Sequence, residues 1–233
     1  VARAQELVAA GADAIDLGGE STRPGHREVG VEEEIGRVLP AVELLGREVS
    51  VPVFVDTSKA AVAAAALAAG AAGVNDVRGL QRDPEMGAVV AAAGVPLICM
   101  HNQAGHDYAD LMGEVLARLQ MSIELALRAG IPRNQLVIDP GIGFGKVPAQ
   151  NLDVLRRLIE LRVLGCPILV GTSRKSLIGW LLDDRPVGGR LLGTAATVAW
   201  SIVAGADIVR VHDVAEIHDA AVVLDALSRR ERG

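Results

Sequence analysis

Short β-rich runs in this sequence end, one after another, in residues that can do chemistry. Glu20-Ser21-Thr22-Arg23 follows the first run and Asp56 ends the second. Asn75 lies in the third, Met100-His101 closes the fourth and Asp139 ends the fifth. Ser173-Arg174-Lys175-Ser176 follows the sixth, and Arg210 and His212 lie in the seventh. Asp56, Asn75 and Asp139 make an acceptor-rich set that suits a planar heterocycle carrying several N–H donors. Asp139 can accept two hydrogen bonds from an amino-pyrimidinone edge, and Lys175 can donate to the carbonyl of the same ring. Singly, each has a plainer use: an aspartate can cap a helix, and Asp-Pro-Gly is a common turn. Together they would be costly to bury without partners.

Alternation sharpens the seventh run. Side chains two apart on a strand share a face, so Arg210 and His212 point the same way. Two cationic groups on one buried face need an anion, either an internal carboxylate or a ligand phosphate. The phosphate is favoured because Arg23 and Lys175 should reach the same rim, and Arg and protonated His bind phosphate well.

These residues need strands to carry them. The β-rich runs are Ala14–Gly18, Val53–Thr57, Gly73–Val77, Pro96–Met100, Leu136–Asp139, Pro167–Gly171 and Ile208–His212. Helical stretches alternate with them: Arg3–Ala10, Val31–Leu45, Ala60–Ala69, Pro84–Ala93, Ala109–Ala129, Asn151–Leu164, Leu191–Ala204 and Val214–Ser228. Strands written as near-continuous Val, Ile and Leu, separated by helices, predict βαβ units and a parallel sheet covered on both faces. A doubly wound sheet would carry an early Gly-x-Gly-x-x-Gly loop; the only comparable cluster, Gly141–Gly145, comes late. The expected fold is therefore an α/β (β/α)8 TIM barrel over residues 1–233, one domain. Its sites lie at the carboxyl ends of the strands. Seven strands beginning after a helix imply that the first strand of such a barrel is missing from the sequence as given.

Composition excludes other classes. Half the residues are hydrophobic, enough for a large core, and a net charge of −6 disfavours nucleic acid or an anionic membrane. Two Trp, two Phe and one Tyr are too few for a base-stacking surface. Cys99 and Cys166 alone make neither a disulfide framework nor a zinc site, which fits a reduced, cytoplasmic setting. Uncharged runs such as Leu191–Ala206 are Ala- and Gly-rich and fall short of the roughly 18 strongly apolar residues of a membrane span.

The ordered motifs resemble one family. Asp-Leu-Gly-Gly-Glu-Ser-Thr-Arg-Pro-Gly (Asp16–Gly25), Val-Asp-Thr-Ser (Val55–Ser58), Asn-Asp-Val (Asn75–Val77), Asp-Pro-Gly-Ile-Gly-Phe-Gly-Lys (Asp139–Lys146), Ser-Arg-Lys-Ser (Ser173–Ser176) and Arg-Val-His-Asp-Val (Arg210–Val214) look like the bacterial dihydropteroate synthases. The resemblance implies a barrel enzyme of folate biosynthesis. Such enzymes join 6-hydroxymethyl-7,8-dihydropterin diphosphate to para-aminobenzoate and release pyrophosphate. They use Mg²⁺, are homodimeric and are inhibited by sulfonamides.

By the same resemblance, Asp56, Asn75, Asp139 and Lys175 form the pterin pocket, lined by Met100. Arg210 stacks on the pterin and, with His212, holds the diphosphate. Thr22 and Arg23 lie on a loop near the diphosphate and the aminobenzoate, and Phe144, Lys175 and Ser176 shape the aminobenzoate site. Asp56, Lys175, Arg210 and His212 are the expected catalytic set. They would act by electrostatic stabilisation of a dissociative transition state, without a covalent intermediate. Two departures stand out. The family's opening strand, ending Asn-Val-Thr-Pro-Asp-Ser-Phe and contributing an Asn to Mg²⁺ binding, is not in this sequence, and the loop after His101 is short. The alternatives are a methyltetrahydrofolate-dependent corrinoid methyltransferase on a similar barrel and a non-catalytic pterin-binding homologue.

Overall fold

The computed structural model describes residues 1–21 and 27–228. Seven strands alternate with nine α-helices among these residues: α1 (Ala2–Ala9), β1 (Ile15–Gly18), α2 (Val31–Glu48), β2 (Val53–Asp56), α3 (Ala60–Ala68), β3 (Gly73–Asp76), α4 (Met86–Ala93), β4 (Leu97–Met100), α5 (Leu111–Ala129), β5 (Leu136–Asp139), α6 (Pro148–Arg156), β6 (Leu169–Val170), α7 (Ser176–Leu181), α8 (Leu191–Val203), β7 (Ile208–Val209) and α9 (Val214–Ser228). The expected order of elements holds, with most boundaries within two residues. Two expectations need correction. The stretch Asn151–Leu164 is not one helix: it breaks at Arg157, and Leu158–Leu164 winds as a 3-10 helix. The six-residue α7 is too short to leave a periodic signal in the sequence.

All strand pairs are parallel, and the order never reverses. β1 through β5 pair in sequence, Ile138 bridges to Ile168 beside β6, and β6 pairs with β7. A doubly wound sheet reverses its strand order at a switch point; a consecutive parallel order with every helix on one side belongs to a (β/α) barrel. β7 and β1 do not pair, so the sheet is open at that seam. Its edges are nevertheless close, because Arg3 Nη2 donates to the carbonyl of His212 at 3.0 Å.

The helix-facing residues build the main core. Val55, Val74, Leu97, Cys99, Leu136, Ile138, Ile168 and Val170 pack against Val38, Ala63, Met86, Val90, Leu119 and Ile123. On α5 the buried positions Met112, Val115, Leu119, Ser122, Ile123 and Ala126 follow helical spacing, so one stripe faces the sheet. Asp110 caps that helix, accepting from the Gly113 N–H at 3.2 Å. Burying one such Leu or Ile stabilises the fold by about 1.5–3 kcal/mol. Because side chains alternate, fixing Val55, Val74, Cys99 and Ile138 toward the helices turns Asp56, Asn75, Met100 and Asp139 into the barrel. The strand pattern thus supplies both core and site.

Candidate active site

The inward residues fall in two staggered registers across the sheet, because Asn75 pairs with Ile98 and Met100 lies two residues beyond it. Gly18 pairs with Asp56, Asp56 with Asn75, and Met100 with Asp139. Both registers lie at the carboxyl ends of the strands, at the mouth expected of a barrel. Phe144 folds over it from the β5–α6 loop and packs with Met100 and Val77.

Asp56 is the most perturbed carboxyl at this mouth. Burial, then repulsion from Asp16, raises it to about 8 despite the nearby Arg210. Its Oδ1 is buried and has no hydrogen-bond partner among the described residues. A buried acceptor left unpaired costs about 1–3 kcal/mol, which a donor-bearing ring placed here would recover. Asn75 donates through Nδ2 to Asp16 Oδ2 at 3.0 Å, so its amide oxygen is the end turned to act as an acceptor. Asp139 is less open than the sequence reading supposed. Its Oδ1 already accepts from the Gly141 N–H at 2.7 Å, so a ligand shares that carboxylate with the loop.

Lys175 precedes α7. It donates to the Ile142 carbonyl and sits 4.7 Å over the Phe144 ring. Burial brings its ammonium down to about 8. Ser176 is exposed at the start of α7. The lysine's backbone is firmly held. Arg174 is a non-glycine residue with φ +59°. Its guanidinium forks onto Asp213, with Nε to Oδ2 at 2.9 Å and Nη2 to Oδ1. Arg190 Nη1 donates to the carbonyls of Arg174 and Lys175 at 3.0 and 3.2 Å.

Arg210 and His212 follow β7 on its inward parity, and each has a protein partner of its own. Arg210 Nη1 lies 2.6 Å from Asp16 Oδ2 and 3.6 Å from Asp56 Oδ2. His212 is bound separately: Ser173 Oγ accepts from its backbone N–H at 3.1 Å and lies 2.9 Å from its Nδ1. Arg210 meets an internal carboxylate because β1 flanks the seam and sends Asp16 inward, opposite it. Gly171 leaves room for the guanidinium, since a Cβ there would fall 3.3 Å from Arg210 Nε. Thr22 and Arg23 lie outside the described residues. The loop leading to them is anchored by the buried Lys59, which bonds both Glu20 and Glu34.

Two residues were missed by reading strand ends alone. Asp16 lies inside β1, and the alternation argument used for β7 would have found it. Lys146 lies in a motif that carries the family resemblance, but its buried position has no sequence signal.

Comparison with known proteins agrees with this geometry. The family model described as pterin binding enzyme matches residues 1–212. The dihydropteroate synthase of Bacillus subtilis is 45% identical over 224 residues, covering 96% of this chain and 78% of that protein. The crystal structure of the Clostridium difficile dihydropteroate synthase in the presence of pteroic acid superposes with a TM-score of 0.96 at 48% identity, covering 98% of this chain and 87% of that one. The Xanthomonas albilineans enzyme with 4-aminobenzoic acid gives 0.94 at 42% identity, covering 99% and 84%. The chain belongs to the pterin binding enzyme family, among its dihydropteroate synthases.

Proposed function

We propose that the barrel mouth performs dihydropteroate synthesis with the residues named above. It is a transferase reaction, condensing 6-hydroxymethyl-7,8-dihydropterin diphosphate with para-aminobenzoate to give 7,8-dihydropteroate and pyrophosphate. The observation that carries this reading is the inward set of Asp56, Asn75 and Asp139 bordered by Lys175 and Arg210, with the buried Asp56 Oδ1 lacking a donor among the described residues. Asp56, Asn75 and Asp139 accept from the pterin ring while Lys175 donates to its carbonyl. Met100 and Phe144 supply the apolar wall.

The aniline nitrogen is a weak nucleophile, so the C–O bond to the diphosphate breaks first. Positive charge then develops on the pterin methylene and spreads into the ring, where Asp56 and Asp139 oppose it. Arg210 and His212, with Arg23, stabilise the departing pyrophosphate. The nitrogen then bonds to the methylene and loses a proton. Phe144, Lys175 and Ser176 border the aminobenzoate, and sulfonamides, sharing its shape, compete there.

Mg²⁺ is a further part of the proposal. Among the described residues no group of three or more His, Cys, Asp or Glu is placed to hold a metal ion, and the roles above stand without it. A homodimer is supported by apolar side chains exposed on α7, α8 and α9, among them Trp180, Leu192, Trp200 and Val223. A cytoplasmic location is supported by two buried, unbridged cysteines. Among the described residues no helix is long and apolar enough to cross a membrane.

The test is pyrophosphate release from the pterin diphosphate with and without para-aminobenzoate. Release that depends on aminobenzoate and yields dihydropteroate is the expected result. Binding of the pterin without turnover would favour the non-catalytic alternative. Similarity at 45% identity to a synthase weighs against the methyltransferase.

A further inference from the structure

Lys146 is a buried lysine with no carboxylate hydrogen-bonded to it among the described residues. Its Nζ donates to the carbonyls of Pro140, Gly141 and Phe144 at 2.9, 3.2 and 3.1 Å, and lies 2.9 Å from His101 Nδ1. An ammonium has three protons, so the three carbonyls alone occupy it and Lys146 has no donor to spare for substrate. All three carbonyls belong to the β5–α6 loop, which is therefore wrapped around one ammonium group, whose pKa burial lowers to about 7. Such a path needs left-handed backbone, and Gly141 and Gly145 supply it with φ +68° and +55°. At Gly141 a side chain is excluded as well, because a Cβ would fall onto the carbonyl oxygen of His101.

That loop carries or touches three members of the proposed site. Its Gly141 N–H fixes Asp139 Oδ1 at 2.7 Å, its Phe144 ring lies under Lys175, and its Ile142 carbonyl accepts from Lys175. We propose that Lys146 is a positioning residue: its ammonium, clamped on the carbonyls of Pro140, Gly141 and Phe144 and backed by His101, sets the loop that aligns Asp139, Phe144 and Lys175 for both substrates. The inference rests on the reading given under Proposed function and deepens it. His101 is neutral at any working pH, since burial pulls it down to about 3. Its Nδ1 lies 2.9 Å from Lys146 Nζ, with the direction of that hydrogen bond set by the imidazole tautomer. Tyr108 reinforces the same loop from outside, donating from its hydroxyl to the Gly145 carbonyl at 2.7 Å.

The test compares Lys146→Met, which keeps the apolar stem and removes the charge, with Lys146→Gln, Tyr108→Phe and a core control, Leu119→Ala. Leu119 is fully buried on the sheet-facing stripe of α5, in the main core. Each folded variant is assayed well below its melting temperature for KM of both substrates, for kcat, and for pteroic acid affinity by calorimetry. For Lys146→Met the expected result is a rise of about tenfold or more in both KM values and a matching loss of pteroic acid affinity, with a smaller change in kcat. Lys146→Gln and Tyr108→Phe should move in the same direction by less, and they carry the test if the Met variant does not fold.

KM and affinity within about twofold of the unmodified protein in the folded variants overturn the proposal, as does an equal shift in Leu119→Ala. Absence of aminobenzoate-dependent turnover in the unmodified protein would instead count against the synthase reading. The calorimetric comparison would still report on Lys146.

Discussion

Arg210 reaches across the open seam of the barrel to Asp16, with Nη1 and Oδ2 2.6 Å apart, although the two residues are 194 positions apart in the chain. The pair is partly buried, with 27% and 23% of the two side chains exposed. The guanidinium is therefore held inward, at the rim of the pocket, by an internal carboxylate.

Arg210→Ala should weaken the diphosphate-bearing pterin far more than the pterin lacking phosphates. Hydrogen bonds to a charged group contribute about 1.5–3 kcal/mol each, so the difference should be about tenfold to hundredfold. Calorimetry with the two ligands checks it. Equal loss for both would remove Arg210 from the phosphate rim.

Asp56 gives a signature in stability against pH. Its folded pKa, raised to about 8 by burial and by Asp16, lies above its unfolded value. Between those two values the folded state holds the extra proton. The contribution of this group is thus most favourable below the ordinary carboxylate range and is lost as pH rises toward 8. Urea denaturation of Asp56→Asn should lack that decline relative to the unmodified protein. Parallel curves for the two would contradict the raised pKa.

Arg174 and Asp213 join the loop of Lys175 to the loop of His212. Removing that fork with Asp213→Asn frees a left-handed Arg174 and should lower kcat/KM by about tenfold to hundredfold, the scale of an ångström-sized misplacement. Steady-state kinetics of the variant test this, with unchanged kcat/KM as the contrary outcome.

Much of this architecture was legible in the sequence, because strands buried on both faces are written in Val, Ile and Leu and end in polar residues. Leu136–Asp139 and Val214–Ser228 have the bounds read from the sequence. Asp56, Asn75, Met100 and Asp139 were found because each lies at or near a strand end and the pleat turns it inward. Asp16 was not, because it sits mid-strand and its partner comes from the far end of the chain. Lys146 was not, because nothing local says that a lysine after a glycine-rich turn will fold back onto that turn's own carbonyls. The pairing of Arg210 with Asp16 was not legible for a related reason: sequence spacing shows that a counter-charge is needed but not which strand lies across the seam. The helix α7 escaped notice because six residues hold less than two helical turns.

Asp139→Ala tests the central claim most directly, through calorimetric titration of the variant with the pterin diphosphate. Losing two charge-assisted hydrogen bonds should reduce affinity by about a hundredfold or more, with the circular dichroism spectrum unchanged. Affinity within about threefold of the unmodified protein, in a folded variant, would contradict the assignment of these inward residues as the pterin pocket.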